Sequence, residues 1–309
     1  MTAVYICLIV ICVLFVVVIC VSNYLVSFSL DRKSKFNLES KAKKEGWQVK
    51  RPDMTEAEKF LKEKGRIVYI SSREGYQLKG FLINGKTKSD KYALLIHGYG
   101  GIPEEMYPMV LHYIQKGFNC LIPVHRAHGE SQGRYISMGT FECSDMSFWI
   151  DFIIKENPKA HILLHGVSMG GATVMMTCGL NLPDNVKVAV EDCGYTNVND
   201  IFTDKLKKLF HLPSFPIMPI ASSVCKIRAG FTFKQGDSIK SLQRSKTPMI
   251  FIHGSDDGFV PPYMLDILYN SCSCPKDKVV IEGANHAESV KINPKLYWEK
   301  IDAFIKNYI

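Results

Sequence analysis

The chain has 309 residues, a formal net charge of +8, 47% hydrophobic and 22% charged residues. That composition belongs to a folded chain with a sizeable core and excludes disorder and collagen-like structure. Ten cysteines at no framework spacing exclude a disulfide scaffold.

Val4 to Val21 is an unbroken apolar run without charge, Gly or Pro. As a helix it spans roughly 27 Å at about 1.5 Å per residue, enough to cross a bilayer. A cleaved signal peptide fits less well. No Lys or Arg precedes the run, and no A-x-A-like site follows it. The sequence therefore predicts an uncleaved single-pass anchor over residues 1–30, held in the cell membrane.

A basic segment follows, expected as a juxtamembrane linker over 31–66. Between Asp31 and Arg51 stand Arg32, Lys33, Lys35, Lys41, Lys43, Lys44, Lys50 and Arg51, against Asp31, Glu39 and Glu45. Five of the eight net positive charges lie here, so the remainder is nearly balanced. A nucleic-acid groove spread over the fold is not expected. The basic flank at 32–51 suits contact with anionic lipid beside the span at 4–21. It also places the rest of the chain on the cytoplasmic side, as do seven cysteines beyond the anchor.

Thr55-Glu56-Ala57-Glu58 reads as a helix start. Ile67–Ser71 and Tyr76–Ile83 read as a hairpin across Arg73-Glu74-Gly75. Strand and helix patterns then alternate. Strands are expected at 93–96, 120–124, 162–164, 186–190, 249–252 and 279–281. Helices are expected at 103–116, 140–154, 168–179, 263–269 and 294–308. Apolar strands alternating with helices imply an α/β fold, a mostly parallel sheet covered on both faces. The segment at about 197–242 breaks the rhythm. Its proline-rich centre, His211 to Ile220, cannot be one straight helix. It is either a surface excursion or a cap over a pocket.

Gly166-Val167-Ser168-Met169-Gly170 is a G-x-S-x-G motif between an apolar strand and a helical run. That context is the one a nucleophile elbow requires. A nucleophilic serine needs a base, and the base an orienting acid. His211, His253 and His286 follow Ser168, and only His286 lies beyond the acidic turn Asp256-Asp257. With the order Ser, acid, His, the base is His286. The acid is expected from the adjacent pair Asp256 and Asp257, of which only one can point to the imidazole while the other serves as a turn residue, with Asp192 as a rival. Oxyanion donors are expected from the amides of Met169, after the nucleophile, and Tyr99, in His97-Gly98-Tyr99-Gly100.

These blocks, with Arg126-Ala127-His128-Gly129-Glu130-Ser131, resemble the alpha/beta-hydrolase superfamily over about residues 67–309. Within it the chain is similar to a bacterial membrane-anchored branch related to serine aminopeptidases and acyl hydrolases. One position departs from the pattern: Val124 stands where the family often has Asp. The resemblance implies an alpha/beta-hydrolase fold with a cap insertion. It further implies a Ser168–His286–Asp257 triad and an acyl-enzyme route needing no cofactor. The Cys272-Ser273-Cys274 spacing matches no zinc site, so no metal is expected. An anchored carboxylic-ester or thioester hydrolase acting on a small acyl substrate is the leading expectation. A serine peptidase of the same fold is the alternative, and a non-catalytic anchored binding module is the rival from another class. A peptidase usually needs a group that recognises a peptide terminus, and a carboxylate facing the pocket from the insertion, where the acids are Asp200, Asp204 and Asp237, would favour it. Leu209–Ile220 is expected to shield an acyl pocket.

Overall fold

The computed structural model describes residues 1–35 and 54–309. Of the basic run, residues 36–51 lie outside the described residues. Helices α1 (Thr2–Ser29) and α2 (Thr55–Lys64) precede the hairpin β1 (Arg66–Ser71) and β2 (Gln77–Ile83). Then come β3 (Lys91–Ile96), a short 3-10 turn at Pro103–Met106, α3 (Tyr107–Gln115), β4 (Asn119–Pro123) and α4 (Glu142–Glu156). They lead to β5 (His161–Val167), α5 (Met169–Cys178) and β6 (Val186–Asp192). The insertion forms α6 (Val198–Phe210), α7 (Ile217–Ala229) and α8 (Ser238–Arg244). The chain closes with β7 (Met249–Gly254), α9 (Tyr263–Ser271), β8 (Lys276–Ile281), α10 (Ser289–Ile292) and α11 (Pro294–Ile305).

The strands form one sheet in the order β1-β2-β4-β3-β5-β6-β7-β8. β1–β2 and β2–β4 pair antiparallel, and the others parallel. The central strands are apolar on both faces because both faces are covered. Along β3, Leu94 and Ile96 enter one core while Ala93 and Leu95 enter the other. Along β5, Ile162 and Leu164 enter the first and Leu163 the second. This is strand alternation read on a sheet with helices on each side.

Strand order reverses between β3, which leads on to β4 at one flank, and β5 at the other. A crevice opens at the carboxyl ends of strands at such a switch point, where ligands bind in open α/β sheets. The turn after Ile96 and the turn after Val167 flank it, and Ile96 pairs in register with Gly166.

Helix α1 is long and apolar enough to span a bilayer, and its two ends differ. Thr2 to Val17 are exposed throughout, whereas Ser22, Val26, Ser27 and Leu30 are buried against the body. Val26 and Leu30 join the same core as α4, α5 and the insertion. The junction is tied. Asp31, 2% exposed, accepts from Arg134 and Arg228 at 2.8 and 3.0 Å. Arg228 also donates to Asn23 and Ser27 of α1. The Ile136 amide donates to the Leu30 carbonyl at 2.9 Å. So the apolar helix is more than a tether: its last turns are part of the folded body, and Asp31 is not a solvated linker residue.

The insertion leaves and rejoins the sheet through a narrow neck. Asn197 bridges Asp237, and the Asn197 side chain caps α6 by accepting from the Asp200 amide at 2.8 Å. Residues 211–216 form the break between α6 and α7.

Candidate active site

The elbow places Ser168 at φ 59°, in the left-handed region. Its flanking glycines are required by close approach. A Cβ on Gly166 would meet the Gly170 carbonyl oxygen at 2.2 Å, and one on Gly170 would meet the Ile96 carbonyl oxygen at 2.0 Å. The turn sets Ser168 at the N-cap of α5, the end of a helix that favours negative charge.

Ser168 Oγ lies 2.8 Å from His286 Nε2, and His286 Nδ1 lies 2.7 Å from Asp257 Oδ2. The three side chains expected to act together therefore meet. Asp257 Oδ1 accepts from the amides of Phe259 and Val260, each at 2.8 Å. Burial acts to raise the Asp257 pKa, but hydrogen bonds from His253 and His286 outweigh it and hold the carboxyl well below the usual carboxylate range. Asp257 thus stays ionised beside the imidazole. The rival Asp192 is engaged elsewhere, accepting from Ser289 at 3.2 Å and Tyr297 at 3.0 Å.

Some partners were not read from the sequence. His253 Nε2 lies 3.0 Å from the Val260 carbonyl and 3.3 Å from Asp257 Oδ2, so this second histidine steadies the acid from behind. The Asn285 carboxamide accepts from the Gly258 and His286 amides at 3.1 and 2.8 Å. It ties the acid loop to the base loop. The signal was present, since His253 ends a strand just before the acid. Its orientation depends on the return of the loop at Val260. Arg126 pairs with Asp145, at 2.7 and 2.6 Å, and with Glu74 at 3.0 Å. These acids serve the arginine in a region where Val124 offers none.

Tyr99 and Met169 border the same cavity as Ser168. The turn carrying Tyr99 passes so close that a Cβ on Gly98 would meet Ser168 Cβ at 3.3 Å. The Gly100 amide donates to His128 Nε2 at 3.0 Å, and the Tyr99 hydroxyl donates to the Ser29 carbonyl of α1 at 2.7 Å. The turn is thus held at both ends.

Among the described residues, ligand atoms of Cys193, Asp257 and His286 lie within 4.8 Å of one another, a grouping that could hold a cation. Both His286 nitrogens are already engaged by Ser168 and Asp257, and burial pushes the Cys193 thiol well above its ordinary pKa. The donor set therefore suits the hydrogen-bonded relay better than an ion.

The cavity beside Ser168 encloses about 130 Å³ and is almost wholly apolar. The insertion supplies Phe202, Leu209, Phe210, Met218 and Phe233, and α1 supplies Leu25, Val26 and Phe28. Asp200, Asp204 and Asp237 do not line it. Asp200 accepts from Asn197 and Thr196, Asp204 pairs with Lys205 and Lys208, and Asp237 caps α8.

A family model described as alpha/beta hydrolase fold matches residues 94–215. The chain has the alpha/beta-hydrolase fold. Bacillus subtilis (strain 168) protein YqkD is 27% identical over 252 residues, covering 81% of this chain and 82% of that protein. The Pyrococcus furiosus esterase Pf2001 superposes with a TM-score of 0.65 at 20% identity, over 81% of this chain and 95% of that one. A Pyrococcus horikoshii acylaminoacyl peptidase superposes with a TM-score of 0.58 at 17% identity, over 78% of this chain and 42% of that one. Esterases and peptidases thus share this alpha/beta-hydrolase architecture, and fold alone does not separate them.

Proposed function

We propose that this chain is a membrane-anchored serine hydrolase that cleaves a carboxylic ester or thioester through an acyl-enzyme on Ser168. The observation that carries the reading is the Ser168–His286–Asp257 relay at one end of an apolar cavity. Ser168 Oγ attacks the acyl carbonyl while His286 Nε2 accepts its proton. Asp257 fixes the tautomer that carries hydrogen on Nδ1 and stabilises the imidazolium. The Met169 and Tyr99 amides receive the oxyanion. His286 then returns the proton to the leaving alcohol or thiol. Water, deprotonated by the same imidazole, releases the acid.

The cavity lining favours an acyl chain over a peptide. None of the insertion's carboxylates reaches the cavity to bind a peptide amino terminus. The apolar helix and its basic flank support a cell-membrane site with the hydrolase body on the cytoplasmic side.

The test is fluorophosphonate labelling of the full-length chain in detergent, alongside Ser168→Ala. Labelling of the parent alone, with hydrolysis of acyl esters that Ser168→Ala loses, is the expected outcome. A well-folded parent that takes no label would sink the enzyme reading and favour a binding scaffold.

A further inference from the structure

The cavity beside Ser168 is not closed by the hydrolase body alone. Leu25, Val26, Phe28 and Ser29 of α1 form part of its wall. The ring of Phe28 meets Phe210 of the insertion edge-on at 5.6 Å between centroids. Ser22 donates to the Ile217 carbonyl at 3.3 Å, while Arg228, at the far end of α7, reaches Asn23, Ser27 and Asp31. So α1 and α7 lie side by side and run in the same direction. The start of α7 therefore lies level with Ser22, at the end of the packed stretch nearer the exposed, apolar part of α1. Phe215 in that turn is 77% exposed. Leu209, which lines the cavity, is itself 59% exposed, so the apolar wall reaches the surface.

Size adds a constraint. A cavity of roughly 150 Å³ lined by aliphatic and aromatic side chains admits benzene. The space here is of the same order, about 130 Å³, and it opens to the surface beside Leu209. A longer chain must continue past Leu25 and Leu209, beside the helix that leads to the bilayer.

We propose that α1 is one wall of the acyl site, and that the substrate is a membrane lipid whose acyl chain passes from the bilayer along this helix to Ser168. The proposal rests on the serine-hydrolase reading above. A lipid tail already in hydrocarbon reaches this wall without crossing water. A dispersed long-chain ester must first leave its micelle.

The test uses the wild-type full chain in phosphatidylcholine–phosphatidylglycerol vesicles. The probe is a fluorophosphonate with a dodecyl tail ending in a diazirine, photolysed after reaction and mapped by peptide mass spectrometry. The expected result is phosphonylation of Ser168 with the tail crosslinked to the peptide holding Leu25 and Phe28. Crosslinks confined to Phe202 and Phe233 overturn the proposal. So does labelling by an ethyl fluorophosphonate but not by the dodecyl probe. Failure of both probes instead removes the serine-hydrolase reading, and this one with it. As a second measurement, Leu25→Trp should lower the ratio of dodecanoate to acetate ester hydrolysis about tenfold. An unchanged ratio counts against the wall.

Discussion

Glu191 carries a fully buried carboxyl group behind the elbow. One oxygen accepts from the Gly194 amide at 2.9 Å, and the other has no hydrogen-bond partner. Burial pushes its pKa up to about 8 from an ordinary 4.5. Between those values the folded chain holds a proton that the unfolded chain has lost, so unfolding releases it. Raising the pH across this window therefore destabilises the fold, by at most about 1.4 kcal/mol per pH unit. Glu191→Gln should flatten that slope, read as melting temperature against pH. Asp257 has the opposite sign. Its depressed pKa gives stability that is present above the ordinary carboxylate value and lost only as the pH falls below it. In the proposed triad the same residue orients the base. Asp257→Asn should reduce kcat by about four orders of magnitude, since an amide favours the wrong imidazole tautomer. His253→Phe removes the support behind the acid together with the contact to the Val260 carbonyl, and should cost about 10- to 100-fold. Steady-state kinetics on both variants checks the order, and equal losses would mean His253 does more than support.

Among the elements, the insertion is the one expected to set chain preference in the proposed reaction, because it lines the cavity beside Ser168. Replacing residues 209–220 by a short polar loop removes Leu209, Phe210 and Met218 from the cavity wall. Cleavage of long-chain esters should fall about tenfold further than that of short-chain esters, judged from kcat/KM against chain length. Equal losses would make the segment a structural excursion. The elbow was legible in the sequence because its constraints are local: a strand, two glycines forced by close contacts, and a helix. The sheet was legible because apolar runs alternate with helical ones. Helix α7 was not. Its region carries Pro213, Pro216 and Pro219, which read as a broken segment. Yet the break is confined to 211–216, and Pro219 falls in the first turn, where a missing amide hydrogen leaves no helical bond unmade. The packing of α1 on α7 joins residues about 200 positions apart. No local pattern encodes it, although the switch from apolar residues to Ser22 and Asn23 marks where burial begins.

At the scale of the whole molecule, the apolar helix α1 and the α/β body share one core. A fragment beginning at residue 31 loses Val26 and Leu30 from that core and uncovers the cavity. Each buried aliphatic side chain contributes about 1.5–3 kcal/mol. The fragment should melt well below the full chain held in detergent and bind more of an apolar dye, which calorimetry and dye fluorescence would show. Asp31→Asn tests the junction more gently. It leaves Arg134 and Arg228 without their shared carboxylate and should cost about 2 kcal/mol, less than a fully buried pair because Arg134 is half exposed. A continuous helix is also a ruler. The apolar run ends at Val21, and the carbonyl that holds Tyr99 belongs to Ser29, a rise of about 12 Å at 1.5 Å per residue. In the anchored state proposed above, this rise would keep Ser168 at a fixed height above the membrane surface and at a fixed azimuth about the helix axis. An added residue within 4–21 alters only the depth of immersion. One added between Ser22 and Ser27 shifts the residues beyond it by about 1.5 Å along the axis and about 100° around it, so Ser22 and Ser27 no longer both meet their partners on α7, and the length of that short stretch is set by the packing it makes.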